Sequence, residues 1–200
     1  VQITKQIDIQ RDIFWNKFIS HKNVLEKFGY IKDDFPTEKG KTVSQIRSEN
    51  ELFLAEIIFS DVLNDLTPAE LASVICAVTT EDMRAEMYSG LPLSQKVRKT
   101  LNKIKDVRRR VDKAQNENNI DDAMYINSFY CALIEMWSNG AEWDDIIDQV
   151  EMGEGDVVRC FKRVIDVLRQ LTTIDNVPEA VVYTARDAID SIQREPIDLD

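Results

Sequence analysis

Glu154-Gly155-Asp156-Val157-Val158-Arg159-Cys160-Phe161-Lys162-Arg163-Val164-Ile165-Asp166-Val167-Leu168-Arg169-Gln170-Leu171 decides how the chain folds. Counted at helical spacing, Val157, Phe161, Val164, Leu168 and Leu171 form one apolar stripe, widened by Val158 and Ile165. Arg159, Arg163, Asp166 and Gln170 step by four, three and four, so they share a second face. Glu154 and Asp156 stand at the positive end of such a helix and Arg169 near its negative end, where each charge is favoured. A helix of this kind seats itself in a bundle by one face and holds a polar row on the other. By periodicity alone, such a row reads as a solvated face.

The rest of the composition agrees with a helical bundle. The length of 200 residues suits one large domain, or one domain with a small appendage, and a hydrophobic share of 44% is ample for a core. Six glycines and five prolines are too few for a low-complexity chain. The net charge of −11 argues against an independent binder of duplex nucleic acid, which carries a positive excess. It leaves room for a local basic strip touching a strand held elsewhere. No run of 18 apolar residues offers a membrane span. The opening Val1-Gln2-Ile3-Thr4 lacks a charged-then-apolar leader pattern, and with Val first and no Met the chain reads as an excised fragment.

Cys76, Cys131 and Cys160 are odd in number, far apart in sequence and set within apolar helical patterns. They read as buried free thiols of a reducing compartment, not as a disulfide frame or a zinc site. His21 is the only histidine, so a histidine triad or multi-histidine metal site is hard to assemble.

Taken in order, residues 1–9 read as a tail or strand end, and Arg11 to Phe28 as a helix stopped by Gly29. Tyr30-Ile31 and Phe35-Pro36-Thr37 suit a small two-stranded β element. Lys39-Gly40-Lys41-Thr42 ends like a phosphate-binding P-loop, but that loop needs a glycine where Phe35 stands. The stretch therefore reads as a turn into a short helix at Thr42–Arg47. Ser48 and Glu51 form a capping box for a helix to about Ser60, and Thr67-Pro68-Ala69-Glu70 a second box. The helix after it is apolar on most faces and is expected to be central.

Residues 80–92 read as a loop with a turn of helix. Ser94 then caps a basic helix over 94–117, with Val97, Leu101, Ile104, Val107 or Arg108, and Val111 facing the core and a solvated basic face outside. Helices are expected from Asp121 to Asn139, ended by Gly140, and from Trp143 to Val150. Met152-Gly153 forms a turn before the opening helix, and a last helix runs to about Arg194. Glu195–Asp200 reads as a loose tail. The fold class is all-α: residues 1–47 form a lead-in helix and short β element, and 48–200 a multi-helix bundle. Leu71, Ile75, Leu133, Trp137, Phe161 and Leu168 are expected to share its core.

Several stretches point to one family. They are Lys39-Gly40, Ile46-Arg47-Ser48-Glu49-Asn50-Glu51-Leu52, Asn64-Asp65-Leu66-Thr67-Pro68, Trp137-Ser138-Asn139-Gly140, and Glu154-Gly155-Asp156-Val157-Val158-Arg159 through Leu168-Arg169-Gln170. In this order and spacing they resemble the DSHCT domain, the C-terminal helical domain of DExH-box RNA helicases of the exosome-assisting, superkiller-like class. The resemblance covers about residues 24–194, and Phe28-Gly29-Tyr30 with Arg194-Glu195-Pro196-Ile197 looks most like the cyanobacterial and chloroplast branch.

The resemblance implies a role in an ATP-dependent RNA helicase. Two upstream RecA-like domains of the same polypeptide would use ATP and Mg to pull one RNA strand, and a helical bundle would close the channel beneath them. The family's ratchet helix, which lies along the strand, matches Glu154–Leu171. Its arginine, followed three residues later by an acid, matches Arg163 and Asp166, and Arg159 matches a basic position one turn earlier. The acid here is aspartate where a longer glutamate is common. Arginine can fork onto a phosphate or stack on an unpaired base, and an acid can hold that arginine or meet a base edge or sugar hydroxyl. The implied partners are single-stranded RNA and the upstream domains, with no DNA and no membrane. The implied location is a cyanobacterial cytoplasm or a chloroplast stroma. No P-loop, DExH box or arginine finger occurs in this chain, so no catalytic residue, metal ligand or cofactor is expected within it.

Two readings compete. Trp143–Val150, a turn and Glu154–Leu171 could form a helix-turn-helix with a DNA-reading second helix. The broad apolar stripe and acidic charge count against it. The other rival is an all-α interaction scaffold with no nucleic-acid contact.

Overall fold

A computed structural model describes residues 2–48, 50–80, 91–150 and 153–198, with side chains from residue 11 onward. Among them the chain is all-α with one β-hairpin. In order the elements are α1 (Gln2–Lys27), β1 (Ile31–Lys32), β2 (Phe35–Pro36), α2 (Glu38–Val43), α3 (Glu51–Phe59), α4 (Pro68–Thr79), α5 (Gln95–Asn116), α6 (Cys131–Ser138), α7 (Trp143–Ile147), α8 (Glu154–Thr173) and α9 (Glu179–Ile192). The strands are antiparallel, with Ile31 opposite Pro36 and Lys32 opposite Phe35.

α4 sits at the centre. Thr67 and Glu70 complete its capping box and Pro68 opens its first turn. Leu71, Ala72, Val74, Ile75, Cys76 and Ala77 are wholly buried, because α5, α6, α8 and α9 all pack on this helix. Its one buried hydroxyl, Ser73 Oγ, donates to the Cys131 carbonyl at 2.9 Å, so no polar group is left unpaired there. Leu71, Ile75, Leu133, Trp137, Phe161 and Leu168 fall in one core cluster, as the patterning predicts.

Near both ends, the described residues carry more structure than the sequence suggests. Residues 2–9, read as a tail or strand end, belong to α1, and no glycine or proline interrupts the chain before Gly29. Gly29 ends that helix with φ of 75°. The aromatic pattern that signals α1 does not face the core, however. Phe14, Trp15 and Phe18 are exposed, and the last two rings stack at 5.4 Å. At the other end, Ile197 is buried. Arg194 stacks on the Trp137 ring and donates to the Trp137 and Ala141 carbonyls at 2.7 and 2.6 Å, which holds the expected loose tail against α6.

Three boundaries move for local reasons. The short helix expected at Thr42–Arg47 is α2, which starts four residues earlier, because Thr37 Oγ1 accepts the Gly40 amide at 3.1 Å and caps it. α3 is capped by Asn50, whose side chain accepts the Phe53 amide at 2.9 Å, in place of the Ser48 box. α7 ends at Ile147, short of Val150. The expected loop at 80–92 and turn at Met152-Gly153 fall mostly on residues outside the described ones.

The largest departure is at Asp121–Asn139. Only Cys131–Ser138 is helical, and residues 120–128 run without regular structure. Tertiary bonds replace the helical ones. The Asn127 amide donates to Ala77 O at 2.8 Å, and Asn127 Oδ1 accepts the Phe129 amide at 2.9 Å. Met124 and Phe129 are buried, so the segment's apolar residues are used without a helix.

The cysteines are free, and the fold gathers them. Cys76 and Cys160 Sγ atoms lie 3.7 Å apart between α4 and α8. Contact with Cys131, and then burial, raises the Cys76 thiol well above its ordinary range. The Cys76 bond and burial do the same for Cys160. Cys76 and Cys131 are buried and Cys160 is half-buried, and thiols held neutral are poor nucleophiles, which suits a packing role.

Phe161 is wholly buried and meets Trp143 edge-on at 6.3 Å. Phe161→Ala is expected to lower stability by about 3–5 kcal/mol in chemical denaturation, through lost burial and the cavity left behind. A loss under about 1 kcal/mol would remove α8's apolar face from the core.

Candidate nucleic-acid interface

α8 begins after Gly153 with Glu154 and Asp156 in its first turn, and Trp143 Nε1 donates to Glu154 at 2.6 Å. Its stripe of Val157, Phe161, Val164, Leu168 and Leu171 is wholly buried. Arg159, Arg163 and Asp166 lie on the exposed face. The helix is therefore seated by one side and open on the other.

Two of the three candidate residues meet in one groove of about 450 Å³. Arg163 and Asp166 line it from α8, together with Val167 and Gln170. Val78, Thr79 and Thr80 at the end of α4 form a second wall. Arg47, Ser48, Asn50 and Phe53 form a third, and Ala123, Met124 and Tyr125 close it. Arg159 does not line this groove; it is 77% exposed and pairs with Asp156 at 3.2 Å.

Arg163 Nη1 donates to Thr79 O at 3.4 Å, at the carbonyl end of α4, where a cation is favoured. Asp166 pairs with Arg169 at 3.6 Å and is 68% exposed, so its ion-pair partner lies along α8. Gln170 makes a double bridge: its Oε1 accepts the Arg47 amide at 2.7 Å and its Nε2 donates to Arg47 O at 3.1 Å. That bridge fixes the backbone of Arg47 on the groove rim.

Arg47 and Tyr125, a cationic and an aromatic residue, also line the groove, and sequence reasoning did not single them out. A helix over 121–139 hides Tyr125 within a regular pattern. The available signal was the polar run Asn116-Glu117-Asn118-Asn119 continuing into Asp121-Asp122.

The P-loop-like stretch does not fit a nucleotide phosphate. Lys39 Nζ is engaged by Glu56 at 2.7 Å and Phe28 O at 3.0 Å, and it sits over the Tyr30 ring. A side chain at Gly40 would overlap the Tyr30 carbonyl, so this glycine serves a close backbone approach. Among the described residues no group of histidine, cysteine and acid side chains could hold a metal ion, and no helix is long and apolar enough to cross a membrane. The nine bases of α5 are all exposed, and none lines the groove. α7 has only five residues and α8's widest face is buried, which leaves little of a helix-turn-helix reader.

The profile of the DSHCT (NUC185) domain matches residues 33–200. The chain belongs to this family. Among curated proteins, the DSHCT chain is 27% identical over 191 residues to the DExH-box ATP-dependent RNA helicase DExH15, chloroplastic, of Arabidopsis thaliana, covering 92% of this chain and 16% of that protein. It is 30% identical over 159 residues to the ATP-dependent RNA helicase mtr4 of Schizosaccharomyces pombe, covering 76% of this chain and 14% of that protein. It is 31% identical over 169 residues to the DExH-box ATP-dependent RNA helicase DExH9 of Arabidopsis thaliana, covering 79% and 16%. The chain thus spans about one-sixth of the length of these helicases.

Gln170 gives the site a measurable signature. Gln170→Ala is expected to cost about 1 kcal/mol and to speed hydrogen exchange at the Arg47 amide, with little change at core α4 amides. Unchanged exchange at Arg47 would show that the bridge does not fix the rim.

Proposed function

We propose that this DSHCT domain is the RNA-guiding helical module of an ATP-dependent DExH-box RNA helicase. In this reading α8 is the ratchet helix and lines an RNA channel beneath two RecA-like domains carried elsewhere in the same polypeptide. Those domains bind ATP and Mg, and this chain contributes contacts to a single RNA strand. Arg163 takes a phosphate or stacks on a base, Asp166 meets a sugar hydroxyl or base edge, and Arg159 adds a cation one turn before. The compartment is a cyanobacterial cytoplasm or a chloroplast stroma.

The observation that carries the reading is the division of α8. Its whole apolar stripe is buried, while Arg163 and Asp166 line one open groove on the other side. Helicase relatives over most of this chain support the class of protein.

Arg163→Ala in the full-length helicase tests the proposal. Because Arg163 is exposed, its melting temperature is expected to stay close to wild type. RNA binding is expected to weaken by about 1–3 kcal/mol if the guanidinium stacks on a base, and unwinding to fall more than basal ATP hydrolysis. Unchanged unwinding would leave α8's polar row a solvated face and favour the scaffold reading. A collapse in melting with binding intact per folded molecule would make Arg163 structural.

A further inference from the structure

We infer that Tyr125 is a base-stacking platform in the α8 groove, a contact to single-stranded RNA separate from the polar row of α8. The inference rests on the proposed function for the identity of the ligand.

Tyr125 is placed by the segment that departs most from its sequence pattern. Residues 120–128 are irregular, and both Met124 and Tyr125 line the groove: Met124 is buried, and Tyr125 is 39% exposed. The backbone is tied down on both sides of the ring. Asn50 Nδ2 donates to Ala123 O at 3.4 Å, and the Asn127 amide donates to Ala77 O at 2.8 Å. A ring on a segment fixed in this way loses little freedom when a flat ligand settles on it.

The surroundings supply what one nucleotide requires. Arg47 and Arg163 bring two guanidinium groups for a phosphate, and Asn50, Asp166 and Gln170 bring polar edges. Stacking is indifferent to base identity, because every base has a π-face. That suits a module past which any sequence must move. Tyr183 on α9 is the useful contrast: it is more exposed, at 55%, but lies outside the groove, with its hydroxyl bonded to Glu179.

The test compares binding of a base-bearing oligouridylate and an abasic strand of the same length by the intact helicase that carries this chain. Tyr125→Ala is expected to weaken oligouridylate binding about 5- to 100-fold, Tyr125→Phe to keep it, and Tyr183→Ala to leave it unchanged. The Tyr125→Ala loss should vanish on the abasic strand, whereas an Arg163 phosphate contact should be lost on both. In the wild type, photocrosslinking to RNA bearing 5-iodouridine should label Tyr125, which decides the matter even if Tyr125→Ala fails to fold. Wild-type binding by Tyr125→Ala, an equal loss on both strands, or no label on Tyr125 overturns the stack. If Tyr125→Ala alone has no effect while Arg163→Ala weakens binding, the stack fails and the α8 reading stands. If Arg163→Ala alone has no effect, the stack stands without the α8 row.

Discussion

The last turn of α4 sets the architecture of the site. A helix ends with carbonyls that have no partner within it, and α4 ends at the groove, where Val78 and Thr79 are half-buried. The Cys76 carbonyl is taken by the Thr80 amide and hydroxyl at 3.1 and 2.7 Å. The Ala77 carbonyl is taken by the Asn127 amide, and the Thr79 carbonyl by Arg163. Two of these bonds build the groove: one holds the 120–128 segment and the other turns Arg163 toward the end of α4. The site is thus where a buried helix terminates. Its position follows from which neighbours take the carbonyls at that end.

Everything packed on α4 inherits a second constraint. Because α4 has no wet face along its middle turns, each neighbour must present apolar surface to it, and α8 does so with a stripe that also packs on α9. Seating that stripe fixes the rotation of α8 about its axis. The polar row then has no choice of direction, and Arg163 and Asp166 are carried to the rim together. Arg159, one turn earlier, passes beyond the end of the groove.

This explains how much could be read from the chain beforehand. Helices with strong 3.6-residue periodicity and local stop signals were legible: the Thr67 box, Gly29 and Gly140 act through their own backbone, and α8's two faces follow from spacing. Elements settled by distant partners were not. Nothing near Asp121 announces that the Ala77 carbonyl will claim the Asn127 amide, so the irregular 120–128 segment reads as helix. Nothing near Arg194 announces the Trp137 ring. The Ser48 box lost to Asn50, a competing cap two residues later and equally common in type. The same split runs through the site. Periodicity put the α8 pair on one face and the family resemblance made it a candidate site, whereas Arg47 and Tyr125 depend on a side-chain bridge and a tertiary bond.

Charge sets the terms of the proposed strand contact. The chain carries −11 overall, and its densest basic stretch, on α5, lies outside the groove. Beyond a screening length of about 8–10 Å such a chain offers a polyanion no net attraction. In the proposed contact, Arg47 and Arg163 would act only at contact distance, where a fork to phosphate or a flat stack on a base is short-ranged and specific in geometry. A groove of this kind does not gather RNA from solution. It suits a strand already delivered, along which contacts of about 1–3 kcal/mol each can be made and broken as the strand advances. A strongly basic channel would hold the strand by many counterion-releasing contacts at once and resist that movement. The acidic balance that argues against an independent binder of duplex nucleic acid is therefore compatible with a guiding surface.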